Sequence, residues 1–227
     1  MQIYSVAMDE RTPVEIYAFV GVIGSGKSYR LEQMKREYNG VGQVVITADF
    51  SDGIRDLTRQ LLGYGANFGD VNSQEYRDWK ENVACVTVHN GAVVNSFTGR
   101  DVLRNVGEST KCIAGQNVWA RYTTQSLYSR IAYQAFRSDL CVSGVRVLIG
   151  SVRFKCEARS IFELFSDVAA NMDSFMNPSL HFIFCDYHSS SYDAASGHVS
   201  EALAQIVLNT GKYKDGDDIT ELIDTMV

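Results

Sequence analysis

The sequence predicts an α/β protein with three layers, in which helices cover both faces of a central, mainly parallel sheet. Apolar runs of strand length recur along the chain, and segments with helical patterns lie between them. The runs are continuously apolar rather than alternating, as expected for strands that are buried on both faces of a parallel sheet. The predicted strands are 16–20, 44–47, 145–150 and 181–185, and the predicted helices are 28–38, 54–62, 127–136, 157–170 and 201–208.

Length and composition are compatible with a single domain that carries an inserted lobe. The chain has 227 residues, near the upper end of the usual single-domain range. We predict one domain over 1–227, with a lobe inserted at about 63–121. This stretch is rich in Gly, Asn, Tyr and Trp and has no clear strand pattern. We expect it to bind a second small substrate, with a purely structural insertion as the alternative.

Charge and hydropathy exclude several classes of protein. The formal net charge of −6 argues against a surface for duplex nucleic acid, because phosphate contacts need a positive field. No basic N-terminal segment with an apolar core and no run of ~18 apolar residues is present. We therefore expect a soluble, cytoplasmic protein without membrane contact. The five cysteines, which form no C-x-x-C pair, are expected to be reduced and mostly buried.

The most informative segment is a complete phosphate-binding pattern. Residues 21–28 read Gly-Val-Ile-Gly-Ser-Gly-Lys-Ser, which matches G-x-x-x-x-G-K-[ST]. The apolar run 16–20 precedes it, and a helix-forming segment that ends at Asn39-Gly40 follows it. Average residue usage produces this pattern by chance in about one chain of this length in a hundred. Strand, glycine loop and helix in this order predict a P-loop NTPase-type fold that binds a nucleotide.

The residue types of this loop suit ATP together with Mg²⁺. Glycines let consecutive backbone N–H groups turn inward around a phosphate, and Lys27 supplies a cation to the β and γ phosphates. Ser28 offers a hydroxyl ligand to the metal. The predicted ATP-binding residues are Gly21, Gly24, Ser25, Gly26, Lys27, Ser28 and Tyr29.

Five further segments, in the same order along the chain, resemble the deoxynucleoside monophosphate kinases of tailed bacteriophages. Residues 48–56 resemble the family's F-A-[DS]-P-[LI]-K-[DE], and residues 99–109 with Trp119 resemble R-x-L-L-Q-x-L-G-T-E with its later Trp. Residues 147–158 resemble a strand that ends in D-V-R-[FQ]-x-x-E. Residues 197–201 resemble H-x-[ST]-E, and 208–211 with 219–222 resemble I-x-N-x-G and E-x-L. The resemblance extends over most of the chain.

The resemblance implies an enzyme that transfers phosphate from ATP to a deoxynucleoside monophosphate and supplies precursors for phage DNA synthesis in the host cytoplasm. Its partners would be Mg·ATP and the acceptor nucleotide, and a homodimer is compatible with it. Arg100 would bind the monophosphate of the acceptor, and Arg153 the phosphates that are joined or broken, so both are implied as catalytic together with Lys27. The implied substrate-binding residues are Asp52, Arg100, Gly107, Trp119, Arg153 and Glu157.

The chain departs from the family's pattern at three positions. Gly53 stands where the family has proline, and Lys111 is the nearest cation where the family has an arginine before the tryptophan. Ser151 replaces the aspartate at the end of the third predicted strand, so a carboxylate expected near the metal or the substrate is missing. Either of the last two changes, at Lys111 or at Ser151, implies a shifted substrate choice, relocated support of the metal or reduced activity.

Several of these residues also have a structural explanation. Asp52 is equally a helix N-cap before Ile54, and Trp119 packs in a core more often than it stacks on a base. Asp186, after the apolar run 181–185, is either the metal-binding carboxylate of a P-loop ATPase or a turn residue. The alternative functions are therefore a P-loop NTPase or nucleotide-binding regulator without kinase activity, and a kinase of another small acceptor such as a modified nucleotide.

Overall fold

The computed structural model describes residues 12–39, 43–62, 73–135, 144–172, 176–187 and 202–227. These residues form six strands and eight helices. The strands are β1 (Thr12–Val20), β2 (Val44–Asp49), β3 (Val83–His89), β4 (Ala92–Thr98), β5 (Val145–Val152) and β6 (Met176–Phe184). The helices are α1 (Lys27–Tyr38), α2 (Asp52–Leu62), α3 (Gln74–Glu81), α4 (Gly99–Ala114), α5 (Val118–Ala135), α6 (Lys155–Met172), α7 (Ala202–Thr210) and α8 (Thr220–Asp224).

A central sheet of four parallel strands confirms the predicted α/β fold class. The strand order is β2-β5-β1-β6, and every pair within it is parallel. β1 lies in the interior of the sheet between β5 and β6, and its residues Val14, Ile16 and Ala18 are completely buried. Because all four strands run in the same direction, their carboxyl ends meet at one edge of the sheet, where such folds bind ligands.

Helices cover both faces of this sheet, which gives the three predicted layers. On one face, Leu31 and Met34 of α1 pack against Phe19 and Leu148 of the strands. On the other face, the ring of Phe162 in α6 lies 5.3 Å from the ring of Phe182. Ile183 packs on the face covered by α1, so its neighbour Phe182 points to the opposite face. Burial on both faces explains why the four strands read as continuously apolar runs.

The outer edge of β6 is covered by the segment that follows α7. Ile219 N–H donates to Phe182 O at 2.8 Å, and Phe184 N–H donates to Asp217 O at 2.9 Å. Gly216 N–H in turn donates to Phe184 O at 2.8 Å. These bonds satisfy the backbone of an edge strand that would otherwise be open to pairing with another chain.

The chain divides into two compact units. The first unit comprises Met1–Phe50 with Thr123–Val227, and the second comprises Ser51–Tyr122. The first unit contains the whole parallel sheet. The second unit contains the predicted lobe 63–121 and begins earlier than that prediction, because α2 belongs to it. Within it, Leu62, Trp79 and Leu103 pack around the buried ring of Tyr76.

The expectation that the lobe contains no strand is wrong. β3 and β4 form an antiparallel hairpin within the second unit. Asn90 and Gly91, between the two strands, both have positive φ, 50° and 79°. Positive φ at two central residues is the requirement of a type I′ turn, for which Asn-Gly is the preferred pair. The pair Asn90-Gly91 was therefore a usable sequence signal for this hairpin.

The expectation that the cysteines are mostly buried is also wrong for the described part of the chain. Four cysteines lie there, and all four are free thiols, as expected. Only Cys185 among them is buried, and Cys112 is exposed. No helix in the described residues is both long enough and apolar enough to cross a membrane.

Candidate functional site

The loop 21–28 connects the carboxyl end of β1 to α1, at the ligand-binding edge of the sheet. Gly24 and Gly26 adopt positive φ of 81° and 87°, which glycine accepts without steric cost. Ser25 N–H closes the turn by donating to Val22 O at 3.2 Å. Gly26 is the N-cap of α1, so no side chain caps the first N–H groups of the helix. These N–H groups and the helix dipole together favour an anion at this point.

Lys27 lies against the inside of the loop. Its Nζ donates to Gly21 O at 2.7 Å and to Val22 O at 2.6 Å. These bonds hold the ammonium group beside the backbone that would surround a phosphate. The geometry therefore agrees with a lysine that both shapes the loop and presents a positive charge within it.

Close packing requires glycine at position 21. A β-carbon on Gly21 would lie 2.4 Å from Cys185 O and 2.4 Å from Ser25 Oγ, far inside van der Waals contact. The Oγ of Ser25 is buried and has no hydrogen-bond partner among the described atoms. The first glycine of the pattern is thus needed because β6 and the loop approach each other closely.

The next strand of the sheet, β5, ends in an irregularity beside the loop. Its register with β1 shifts between the pairs Ala18 with Ile149 and Val20 with Val152, so β5 carries one extra residue. Ser151 lies in this bulge with a φ of 56°, which is uncommon for a residue other than glycine. The backbone at Ser151 is therefore strained, and such bulges redirect side chains near active sites.

A carboxylate reaches the same strand end from β2. Asp49 is paired with Gly150 in the register of β2 and β5. Its Oδ2 lies 3.2 Å from the position that a β-carbon on Gly150 would occupy. A carboxylate thus lies next to Gly150, the residue before Ser151.

Glu157 caps the start of α6 from within the helix. Its Oε2 accepts N–H bonds from Arg153 at 2.7 Å and from Phe154 at 3.1 Å. Burial raises the pKa of Glu157 to about 7, and the negative charge of Asp49 adds to this shift. The two backbone bonds and the charge of Arg153 act in the opposite direction. Glu157 can therefore hold or release a proton near neutral pH.

On the other side of the loop, β6 ends at a small polar network. Arg30 of α1 forms an ion pair with Asp215 at 2.7 Å, and Asp215 also accepts the backbone N–H of Asp186 at 2.8 Å. Burial, followed by the negative charge of Asp215, raises the pKa of Asp186. The side chain of Asp186 is thus located beside the loop but also beside another acid.

Two predicted acceptor-binding residues belong to helix starts in the second unit. Asp52 is the first residue of α2 and forms an ion pair with Arg55. Arg100 lies at the start of α4, is 61 % exposed, and pairs with Glu81 of α3. The positive charge of Arg100 is exposed, as binding of a monophosphate would require.

Gly107 and Trp119, also in the second unit, contact each other directly. Trp119 is 8 % exposed, and its indole N–H donates to Gly107 O at 3.2 Å. A β-carbon on Gly53 would lie 3.0 Å from the ring of Trp119 and 2.7 Å from that of Tyr122. This crowding leaves no room for a side chain at position 53 unless the rings of Trp119 and Tyr122 move.

The predicted residues are thus divided between the two units. The loop 21–28, Arg153 and Glu157 belong to the first unit, and the other predicted acceptor-binding residues belong to the second. The segment 197–201, with its His198 and Glu201, lies outside the described residues. Within the described part of the chain, no group of three or more His, Cys, Asp or Glu side chains could hold a metal ion.

Comparisons with known proteins do not assign this chain to a family. No protein-family model and no curated protein matches this chain. A solved structure, a cysteine-to-alanine mutant of an APS kinase from Mycobacterium tuberculosis, is similar with a TM-score of 0.30 and 14 % identity. The similarity covers 89 % of this chain and 99 % of that chain. A similarity of this size does not establish a shared activity, so function has to follow from this chain's own residues.

Proposed function

We propose that the protein is an ATP-dependent kinase that phosphorylates deoxynucleoside monophosphates to diphosphates. The observation that carries this proposal is the loop 21–28 at the carboxyl edge of a parallel sheet, with Lys27 against its inner side and the uncapped start of α1 behind it. The ordered resemblance to the phage kinases supports the choice of acceptor. It also supports a role in supplying precursors for phage DNA synthesis in the host cytoplasm.

The residues at the loop fit a magnesium ion bound together with ATP. Ser28 is exposed in the first turn of α1, directly after Lys27. Mg²⁺ takes few protein oxygens and completes its octahedron with phosphate oxygens and water, so a single hydroxyl ligand suffices. Asp49 supplies a carboxylate at the same edge of the sheet. Such an ion would neutralise negative charge on the phosphates.

Transfer of the phosphoryl group requires positioning and fixed cations more than acid–base chemistry. An oxygen of the acceptor's phosphate forms a bond to the γ-phosphorus of ATP. The bond from this phosphorus to the β,γ-bridging oxygen breaks, and ADP leaves with the electron pair. Lys27 and Arg153 would stabilise the charge that spreads over the transferring oxygens.

Recognition of the acceptor would fall to residues that the resemblance assigns to it. Arg100 would bind the monophosphate, for which a charge-assisted contact from guanidinium is suited. The resemblance also assigns to the acceptor Asp52, Gly107 and Trp119 of the second unit and Glu157 of the first unit. The exposed guanidinium of Arg100 supports this role, since Glu81 is an equally exposed partner that an anion can displace.

A P-loop NTPase or regulator without transfer activity is the second candidate. Ser151 favours it, because the family's strand-end carboxylate is missing there. The presence of Asp49 beside Gly150 and of both arginines favours the kinase. A kinase of a modified nucleotide or of another small acceptor would use the same chemistry.

Release of ADP from ATP, measured with and without each acceptor, separates these candidates. If the protein is a kinase, ADP forms only when an acceptor is present, which is dAMP, dCMP, dGMP, dTMP or a modified pyrimidine monophosphate. Equal ADP release with and without every acceptor would overturn the kinase in favour of an NTPase.

We also propose a homodimer, which the β3–β4 hairpin supports. From Val83 to Thr98 the hairpin contains no Asp, Glu, Lys or Arg. Val88 and Val93 are 59 % and 64 % exposed. Exposed strands are normally protected by charges, so a neutral, valine-rich hairpin suits contact with a second copy. Sedimentation equilibrium of the chain with Val88→Lys would give a monomer, and an unchanged mass would count against this interface.

A further inference from the structure

Two exposed tyrosine rings lie together beside the loop 21–28. Tyr29 is 65 % exposed and Tyr187 is 62 % exposed. Their ring centroids are 5.8 Å apart, and the ring planes are tilted by 35°. Tyr29 follows Ser28 in the first turn of α1, whereas Tyr187 comes three residues after the end of β6. We call these two residues the tyrosine pair.

The backbone of Tyr187 is fixed to the loop. Its N–H donates to Ser25 O at 3.1 Å, and Cys185 N–H donates to Val20 O at 2.8 Å. A β-carbon on Gly26 would lie 3.0 Å from the β-carbon of Tyr187, so the loop packs tightly against this residue. The position of the Tyr187 ring is therefore coupled to the shape of the phosphate-binding loop.

The backbone of Tyr29 is fixed as well. Tyr29 belongs to α1. The residue after it, Arg30, forms the ion pair with Asp215, and this pair ties the helix to the segment along β6. Asp215 also accepts the N–H of Asp186, the residue before Tyr187. One carboxylate thus links the two chain segments that carry the tyrosine pair, and this arrangement keeps both rings at the same side of the loop.

We infer that the tyrosine pair is a stacking surface for the base of the nucleotide whose phosphates occupy the loop, which rests on the proposed binding of ATP. The rings already contact each other, so the base packs on an exposed face of the pair and not between the rings. Every nucleobase has a π-face that stacks on an aromatic side chain, and larger bases offer more contact area. Recognition by stacking is therefore tolerant, and GTP binds within a few-fold of ATP.

The test compares a ligand that has a base with one that has none. Isothermal titration measures the binding of ATP and of inorganic tripolyphosphate to the wild-type protein, Tyr187→Leu and Tyr29→Leu. Leucine keeps an apolar side chain but removes the flat ring. Each variant binds ATP about ten-fold more weakly, whereas tripolyphosphate binding is unchanged. Tyr187→Phe keeps the ring and retains the affinity for ATP.

Tyr133→Leu is the matched control, because Tyr133 is also an exposed tyrosine, 60 %, but lies in α5. It leaves both affinities unchanged. Equal weakening of ATP and tripolyphosphate by Tyr187→Leu would show that Tyr187 only supports the loop, and would overturn the inference. Unchanged ATP binding in both variants would overturn it too.

The binding test of the tyrosine pair can fail or succeed independently of the ADP-release test of the kinase. If ADP release does not depend on any acceptor, the kinase fails, but the affinity ratio of ATP to tripolyphosphate still reports on the tyrosine pair. If the wild-type protein binds ATP no better than tripolyphosphate, the base makes no contribution, and the inference fails whatever the activity. If wild-type protein binds neither ligand, both proposals are wrong.

Discussion

The carboxylate of Asp49 lies over Gly150, with Oδ2 3.2 Å from the position that a β-carbon on Gly150 would take. The contact brings a side chain of β2 to the end of β5, directly before Ser151. Asp49 also contributes to the raised pKa of Glu157. Two acids, Asp49 and Glu157, therefore influence the strand end at Ser151.

We predict that Asp49 provides the carboxylate that Ser151 does not. In Asp49→Asn, the Mg²⁺ concentration that gives half-maximal ADP formation rises several-fold, because a ligand or an acceptor of a metal-bound water loses its charge. Titration of Mg²⁺ at saturating ATP measures this change. Asp167→Asn, at an exposed position of α6, is the control and changes nothing. An unchanged Mg²⁺ requirement in Asp49→Asn would contradict this role.

Restoring the family's aspartate tests the same strand end from the other side. Ser151 has a φ of 56°, and Asp and Asn adopt this region more readily than other residues with a side chain. Ser151→Asp should therefore fold, and it should lower the Mg²⁺ concentration for half-maximal rate without changing the preferred acceptor. Ser151→Asn has nearly the same shape without the charge and is the control. A changed acceptor preference with unaltered Mg²⁺ dependence would assign Ser151 to the acceptor pocket.

The raised pKa of Glu157 predicts that the stability of the fold depends on pH. Its folded-state pKa of about 7 lies above the ordinary value of 4.5, so the folded protein binds this proton more tightly than the unfolded chain. The contribution is fully present below about pH 4.5 and is lost as the pH rises through 7. From pH 5 to pH 8, the wild type should lose about 2–3 kcal/mol of unfolding free energy that Glu157→Gln does not lose. Urea unfolding at several pH values measures this, and parallel profiles would contradict the buried acid.

The sequence was sufficient to predict the four parallel strands, because continuous apolar runs and the glycine loop are local signals. It could not predict the contact of Asp49 with Gly150, which exists only because β2 lies beside β5. The position of Tyr187 likewise depends on β6 lying beside β1. The hairpin escaped prediction for another reason. Its valines are exposed on strands without a buried face, so the polar–apolar alternation of a half-buried strand is missing, and only Asn90-Gly91 marked it.

Arg100 should affect the acceptor far more than ATP. Arg100→Ala removes the proposed contact to the monophosphate. The KM for the acceptor should therefore rise about ten-fold or more, which corresponds to the free energy of a charge-assisted hydrogen bond, while the KM for ATP stays nearly constant. Glu81→Gln is the informative companion, because it removes the exposed partner of Arg100 and leaves the guanidinium in place. It should leave the acceptor KM equal or lower. Equal effects of Arg100→Ala on both substrates would mean that Arg100 is structural.

Lys27→Ala should abolish turnover and leave the fold intact. Lys27 Nζ donates to Gly21 O and Val22 O, and these carbonyls belong to the loop that follows β1 and not to the strands of the sheet. Loss of the ammonium group removes the cation at the β and γ phosphates, which the transfer needs in its transition state. Lys27→Arg keeps the charge, but a planar guanidinium spreads its charge and orients its donors differently from a compact ammonium, so it should recover little activity. ADP formation with the preferred acceptor and the circular dichroism of each variant are the measurements, and retained activity in Lys27→Ala would refute the assignment of the loop itself.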